Sequence, residues 1–199
     1  MPNWCMTRAL VSGDAEQAKA LRGKLERILA SDSPKAESDF GVKWLGNVLA
    51  EHGIDPDDVP CRGSMEAVSP HGDNGVEIEA ETAWEETPLV LTLEALIRKC
   101  YPKLTNLLWY AEEPGCEYYQ TNDTELRLCP GRYVIEHCSD FECDTYYANS
   151  EEQVLSLVGR LTGETPESLD DVYDIEARLQ DKDPDAQLSV HKVEFFEGV

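Results

Sequence analysis

Between Val76 and Trp84 the chain alternates without a break. Val76, Ile78, Ala80, Thr82 and Trp84 fall on one parity, and Glu77, Glu79 and Glu81 on the other. Successive side chains of a strand point to opposite faces, so this segment predicts a strand with one face on a core and one in water. The stretch 104–111 makes a further demand. Leu104, Leu108 and Tyr110 share one parity while Leu107 and Trp109 share the other. Both of its faces need cover, which predicts a central strand among the most buried segments.

Helices supply that cover. Asp14 with Gln17 forms a capping box, and Ala18, Leu21, Leu25, Ile28 and Leu29 follow at helical spacing, with Lys19, Arg22, Lys24 and Arg27 around them. A strand over 3–12 precedes this helix. The polar linker 31–39 follows it, and then a helix over 41–52 ending at Gly53. Strands are expected at 64–69 and 76–84 around the turn SPHGDNG, and a helix from Thr92 to Pro102. Two short strands, 116–122 and 132–138, flank Pro130-Gly131. Ser150 with Gln153 opens a helix that Gly163 ends, and Thr165-Pro166 opens another carrying Leu169, Val172, Ile175 and Leu179. The last strand, 188–196, slips phase between Val190 and Val193, which suggests a bulge. The expected class is α+β: a ferredoxin-like split βαβ sheet with a helical insert at about 31–63. The expected division is a core over 1–140 and a C-terminal helix–helix–strand extension, 141–199, packed on it.

Charge bounds the partners. The chain carries 40 acids against 17 bases, a formal −23, and residues 51–199 alone hold −24. Such a surface repels phosphate backbones and anionic membranes, so direct nucleic-acid and membrane binding are excluded. A basic protein surface is the favoured partner, although plain solubility accounts for the same charge. No apolar run approaches the ~20 residues that span a bilayer, and the N-terminal stretch lacks the pattern of an export signal. A cytoplasmic protein is therefore expected. Its seven cysteines are odd in number and hold no CxxC pair, so thiols in a reducing compartment are expected.

Motifs for chemistry are sparse. His137, Cys138 and Cys143 come nearest to a metal cluster, but zinc wants two ligand pairs. Asp181, Asp183 and Asp185 match the start of a calcium loop, yet Ala186 and Lys192 stand where glycine and glutamate belong. His71 beside Asp73 could be an oriented base, in a turn that reads as exposed. Glu112-Glu113 could do acid–base work only if burial raised one pKa. No phosphate loop or nucleophile elbow is present. No catalytic residue, metal or cofactor is assigned. A small enzyme or accessory protein using an acidic cleft is the alternative to a binding protein.

Several stretches resemble one family. These are Met1-Pro2-Asn3-Trp4-Cys5, Trp44-Leu45-Gly46-Asn47-Val48-Leu49 with His52-Gly53-Ile54-Asp55, Cys61-Arg62-Gly63, Glu81-Thr82-Ala83-Trp84, and Ala111-Glu112-Glu113-Pro114-Gly115-Cys116-Glu117-Tyr118. Together they are similar to the YubB-type ferredoxin-like proteins of plasmids, phages and other mobile elements. The likeness spans about residues 1–140 and, weakly, the end. It departs after Asn122-Asp123, where TELRLCPGRY replaces the family's aromatic, glycine-containing link. The resemblance implies a ferredoxin-like core and a mobile-element setting, and it brings no catalytic residues.

The acidic strand carries the functional expectation. Alternate side chains on a strand sit about 6.8 Å apart, so Glu77, Glu79 and Glu81 form a straight row of carboxylates. Glu85 and Glu86 extend it, Asp57, Asp58 and Glu66 flank it, and Glu112, Glu113 and Tyr118 complete the candidate partner-binding set. Trp84 and Tyr118-Tyr119 are candidate anchors. A rigid row of negative charge can imitate a nucleic-acid backbone. The expectation is a non-enzymatic acidic protein that inhibits a nucleic-acid-binding defence protein, such as a restriction or CRISPR nuclease. The same glutamates also suit the solvated face of an antiparallel sheet.

Overall fold

Asp14 caps the first helix, its carboxylate accepting the Gln17 backbone N–H at 3.0 Å, but the expected box does not close: Gln17 Oε1 accepts the Lys103 N–H at 2.9 Å, and the Asp14 N–H donates to the Lys103 carbonyl at 3.1 Å. The structure, a computed structural model, describes residues 4–36, 40–83, 85–139, 142–182 and 187–196. The chain is mixed α+β and divides into two units, Met1–Thr124 with Phe196–Val199, and Glu125–Phe195. The first unit runs β1 (Trp4–Gly13), α1 (Ala15–Leu29), α2 (Leu45–Glu51), β2 (Gly63–His71), β3 (Gly75–Ala83), α3 (Thr87–Cys100), β4 (Leu104–Glu113) and β5 (Tyr118–Thr121). Its strands lie in the order β2-β3-β1-β4-β5, every neighbouring pair antiparallel.

Parity decides which residues make the core. Ala9 and Val11 of β1, Ile78 and Ala80 of β3, and Trp109 and Ala111 of β4 cluster with Leu21 and Leu25 of α1 and Leu93 and Leu96 of α3. Both helices therefore cover the same face of the sheet. Strand β4 is buried as its double-sided pattern requires, with Leu104 and Tyr110 each 1% exposed and Trp109 3%.

Two helices begin elsewhere than expected. Helix α3 starts at Thr87 rather than Thr92, because Pro88 sits in the first turn, where its missing N–H costs nothing. Thr92 then lies inside the helix and donates its hydroxyl to the Pro88 carbonyl at 2.7 Å. Helix α2 starts at Leu45 rather than 41. Met65 donates its N–H to the Lys43 carbonyl at 2.9 Å, and Trp44 bridges Ser64, so that stretch is held extended against β2.

The second unit contains β6 (Tyr133–Ser139), β7 (Glu142–Ala148), α4 (Glu151–Thr162), α5 (Leu169–Lys182) and β8 (Gln187–Lys192), followed by a two-residue strand, Glu194–Phe195. Its sheet is ordered β7-β6-β8 and is antiparallel. Ile135, Leu188 and Val190 pack with Val154 and Val158 of α4 and Val172 and Ile175 of α5. Strand 133–139, expected to extend the first sheet, pairs here instead, and the units part after Thr124 rather than at 140. Strand β7 was not foreseen, because its sequence shows no apolar alternation. Helix α5 starts at Leu169, capped by Ser168, whose hydroxyl accepts the Asp171 N–H at 3.2 Å while the Asp171 carboxylate accepts the N–H groups of Ser168 and Glu167, each at 2.9 Å. The phase slip after Val190 is a strand break at Val193, whose N–H donates to the Arg132 carbonyl at 2.9 Å.

The expectation of thiols throughout is corrected. Cys138 and Cys143 stand directly opposite each other in the β6–β7 ladder and form a disulfide. The other five cysteines lie outside any disulfide. Among the described residues no helix is long and apolar enough to cross a membrane.

Candidate functional site

The strand register sets out the sheet face opposite α1 and α3 row by row. Met6 stands between Glu81 of β3 and Glu112 of β4, Arg8 between Glu79 and Tyr110, and Leu10 between Glu77 and Leu108. Glu81 is exposed and Glu77 and Glu79 are half-buried, as alternation predicts. Trp4, on the same parity, is 47% exposed and Met6 39%. At this end the face presents an aromatic ring and a thioether, the thioether flanked by Glu81 and Glu112, whereas Leu10, Leu108 and Tyr110 further along it are buried.

The frame is not uniformly negative. The Arg8 guanidinium lies 5.6 Å from the centre of the Tyr110 ring, and the Tyr110 hydroxyl donates to the Glu112 carboxylate at 2.7 Å. At the far end of the row, His71 Nδ1 is 3.7 Å from Glu77 Oε2. Glu66, in the irregular stretch of β2, pairs with Lys43 at 3.0 Å. Arg8 therefore interrupts the acidic field at its centre, while the Glu81–Met6–Glu112 row carries no base. Asp57 and Asp58 lie in a short 3-10 turn, Pro56–Asp58.

The rest of the expected contact set does not share this face. Glu113 has the parity of Trp109 and Ala111 and is buried toward the helices. Cys116 Sγ donates to Glu113 Oε1 at 3.1 Å. The Tyr118 hydroxyl donates to the carboxylate of Glu86, the residue before α3. Glu85 is exposed, and its backbone carbonyl accepts the Thr82 hydroxyl at 2.6 Å. Thr82 and Thr7 bring their hydroxyls within 2.8 Å of each other in the buried layer below. Eight candidate residues thus separate into Glu77, Glu79, Glu81 and Glu112 on one side, Glu86, Glu113 and Tyr118 on the other, and Glu85 at the junction. Of the candidate anchors, Tyr119 is core, at 2% exposure, and Trp84 lies outside the described residues.

The helix-side group has the look of an acid–thiol cluster, and its electrostatics argue against nucleophilic chemistry. Burial pushes the Cys5 thiol up to about 12; a hydrogen bond from Thr7 opposes this, and the charges of Glu113 and Glu86 add to it. Burial and the bond to Glu86 raise the Tyr118 hydroxyl as well. A thiol held protonated at neutral pH is a poor nucleophile, and the bond this group shows between elements is from Tyr118 of β5 to Glu86 at the start of α3.

The remaining candidates stay apart. His71 meets Glu77 rather than Asp73. His191 Nε2 is 3.6 Å from Glu136 Oε2. Cys138 and Cys143 are joined to each other in a disulfide. Asp181 ends in the last turn of α5, while Asp183 and Asp185 lie outside the described residues. Among the described residues no group of three His, Cys, Asp or Glu side chains could hold a metal ion. A cavity of about 170 Å³ beside the end of α1 is lined by Arg27, Lys35 and Glu51, of which Lys35 and Glu51 pair at 3.3 Å.

Trp4 and Met6 are the residues that sequence reasoning missed. The signal was available in part: once β1 is known to be central, Cys5, Thr7, Ala9 and Val11 take the helix side and Trp4, Met6, Arg8 and Leu10 the other face, although Leu10, Leu108, Tyr110 and Tyr119 are buried there and only its Trp4–Met6 end is exposed. No family model matches this chain, nor does any curated protein or solved structure.

Proposed function

We propose that this chain is a non-enzymatic acidic binding protein that engages a basic protein surface through the sheet face opposite α1 and α3. The observation that carries this reading is the register of that face, with Glu81 and Glu112 on either side of exposed Met6, Trp4 beyond it, and Glu79 and Glu77 continuing the β3 row beside Arg8 and Leu10. A few desolvated apolar anchors supply most interface energy, while rim charges steer encounter and set specificity. This face supplies both parts. With −24 over residues 51–199, the protein repels nucleic acid and anionic lipid and attracts bases.

The order β2-β3-β1-β4, with α1 and α3 on one face, supports a ferredoxin-like split βαβ reading of the first unit. That agrees with the resemblance to the YubB-type family and its mobile-element setting. In that setting the partner is a nucleic-acid-handling defence protein whose phosphate-binding surface accepts a rigid carboxylate row in place of a backbone. Five cysteines outside any disulfide suit a reducing, cytoplasmic location, with the Cys138–Cys143 disulfide the exception.

The test starts with cross-linking in the native host and identification of the partner by mass spectrometry. Binding is then measured with both purified proteins. Replacing Glu77, Glu79, Glu81 and Glu112 together by glutamine keeps shape and removes charge. The variant is expected to bind roughly tenfold more weakly at low salt, with the difference shrinking as salt rises. Equal binding by both proteins at low and high salt would refute the reading.

A further inference from the structure

We infer that Cys138 and Cys143 form a redox-responsive pair, passing between disulfide and dithiol by exchange with a low-molecular-weight thiol. The backbone carries the first argument. The two residues are partners in the β6–β7 register with Cα atoms 4.0 Å apart, and β6 is paired on its other side by β8. A strand held from both sides keeps Cys138 facing Cys143 whether or not the sulfurs are joined. The disulfide can therefore open and re-form without a search by the chain.

Position and access carry the second. Cys143 is exposed and Cys138 half-buried, whereas Cys5, Cys61 and Cys129 are buried. The second unit's core is built from Ile135, Val154, Val158, Val172, Ile175 and their neighbours, not from the two sulfurs. The bond joins residues only five apart in sequence, within a ladder that already holds them. Cross-links stabilise mainly by closing long loops in the unfolded chain, so this one is weakly placed as a structural staple. A chain with five other cysteines outside any disulfide and one accessible cross-strand pair has its reducible bond at that pair.

The exchange balances in two steps. A small thiolate attacks Sγ of exposed Cys143, the protein S–S bond breaks, and Cys138 leaves as a thiolate that takes up a proton. A second small thiolate then attacks the non-protein sulfur of the mixed disulfide, releasing Cys143 as a thiolate, which is also protonated. Two small thiols are oxidised to one disulfide, and the protein gains two electrons and two protons. Glu136 lies two residues before Cys138 on the same face of the sheet, and the chain as a whole carries −23. That charge disfavours approach by an anionic thiol and favours a cationic one.

The experiment uses the full-length protein, equilibrated across mixtures of reduced and oxidised glutathione and, separately, of cysteamine and cystamine. Samples are alkylated in the folded state with excess fast-reacting maleimide, then acid-quenched and mapped by peptide mass spectrometry. Cys138 and Cys143 should become alkylated together, from none to all of the protein, in a two-electron transition, with Cys5, Cys61 and Cys129 labelled only after denaturation. At low salt the cysteamine couple should equilibrate several-fold faster than glutathione. Cys143→Ser should abolish the transition and leave the circular dichroism spectrum unchanged. The inference is overturned if the pair stays joined in the folded protein under excess dithiothreitol, if both cysteines are alkylated in the most oxidising mixture, or if another cysteine pair shows the transition. The wild-type measurement decides each of these outcomes even if the serine variant fails to fold.

Discussion

His52 Nε2 lies 2.9 Å from the Tyr101 hydroxyl while its Nδ1 lies 2.7 Å from the Val48 carbonyl. The carbonyl requires Nδ1 to carry the proton, so Nε2 accepts from Tyr101, and the neutral ring pins the end of α2 to the end of α3. Burial lowers the imidazole pKa, against the pull of the Val48 carbonyl, and pushes the Tyr101 hydroxyl up to about 12. Above about pH 6.5 the ring is neutral whether folded or unfolded, and the group contributes no pH dependence. Below that, the unfolded chain takes up a proton that the folded one resists, so stability falls until the folded pKa is passed. Urea denaturation at pH 7.5 and 5.5 should show a greater loss for the wild type than for His52→Gln. Equal losses would remove His52 as the cause.

Asn47 is buried yet makes four hydrogen bonds. Its Nδ2 donates to the carbonyls of Gly41 at 2.8 Å and Val42 at 3.0 Å, and its Oδ1 accepts from the N–H groups of Lys35 at 3.0 Å and Ala36 at 2.9 Å. One side chain thus closes the linker between α1 and α2. Asn47→Ala is expected to cost about 2–4 kcal/mol, since partners are left unmet. Asn47→Asp should cost at least as much, because an oxygen replaces the donor that faces two carbonyls. Chemical denaturation of both variants checks the order.

Gly46 has the Trp44 ring packed where a Cβ would stand. Gly46→Ala improves helix propensity by up to about 1 kcal/mol, but it must push the indole away. The clash is expected to win, for a net loss of roughly 1–3 kcal/mol in chemical denaturation. A gain in stability would mean that the indole moves freely.

Most of the fold was legible because it rests on parity and caps. Asp14, Ser150 and Gly163 mark helix ends by local chemistry, and β3 and β4 announce their burial through which residues alternate. What was not legible depends on distant partners. Strand β7 reads as polar because only its neighbour β6 makes it a strand. The extended path at Lys43 and Trp44 exists because β2 claims their backbone. The candidate site was half legible for the same reason. Glu77, Glu79 and Glu81 share a face by parity alone, whereas the placing of Arg8 and Met6 beside them needs the β1–β3 and β1–β4 registers. The disulfide needed the β6–β7 register, which cysteine spacing does not encode.

Tyr118→Phe separates the two halves of the acidic set. The change removes the donor to the half-buried Glu86 carboxylate, and should cost about 1–3 kcal/mol of stability. Tyr118 and Glu86 do not lie with Glu79 and Glu81, so partner affinity should stay within about twofold of wild type. Loss of affinity in a folded variant would move the contact surface to the helix side.

Arg8→Gln sets stability against association. Arg8 stands between Glu79 and Tyr110 in the strand register and lies over the Tyr110 ring at 5.6 Å. Its removal takes away a cation–π contact of about 0.5–1 kcal/mol and the base that sits inside the carboxylate frame, so the fold should lose roughly 1 kcal/mol. The same change deepens the negative potential around Trp4 and Met6. A basic partner steered by that potential should associate faster at low salt, with the gain vanishing once the Debye length drops to about 3 Å near 1 M salt. Stopped-flow association and urea denaturation on the same variant read the two effects separately. A variant that is less stable yet faster to bind fits a face whose charges act on the partner. One that binds more slowly would mean that Arg8 itself touches the partner, and that the acidic frame is not what attracts it.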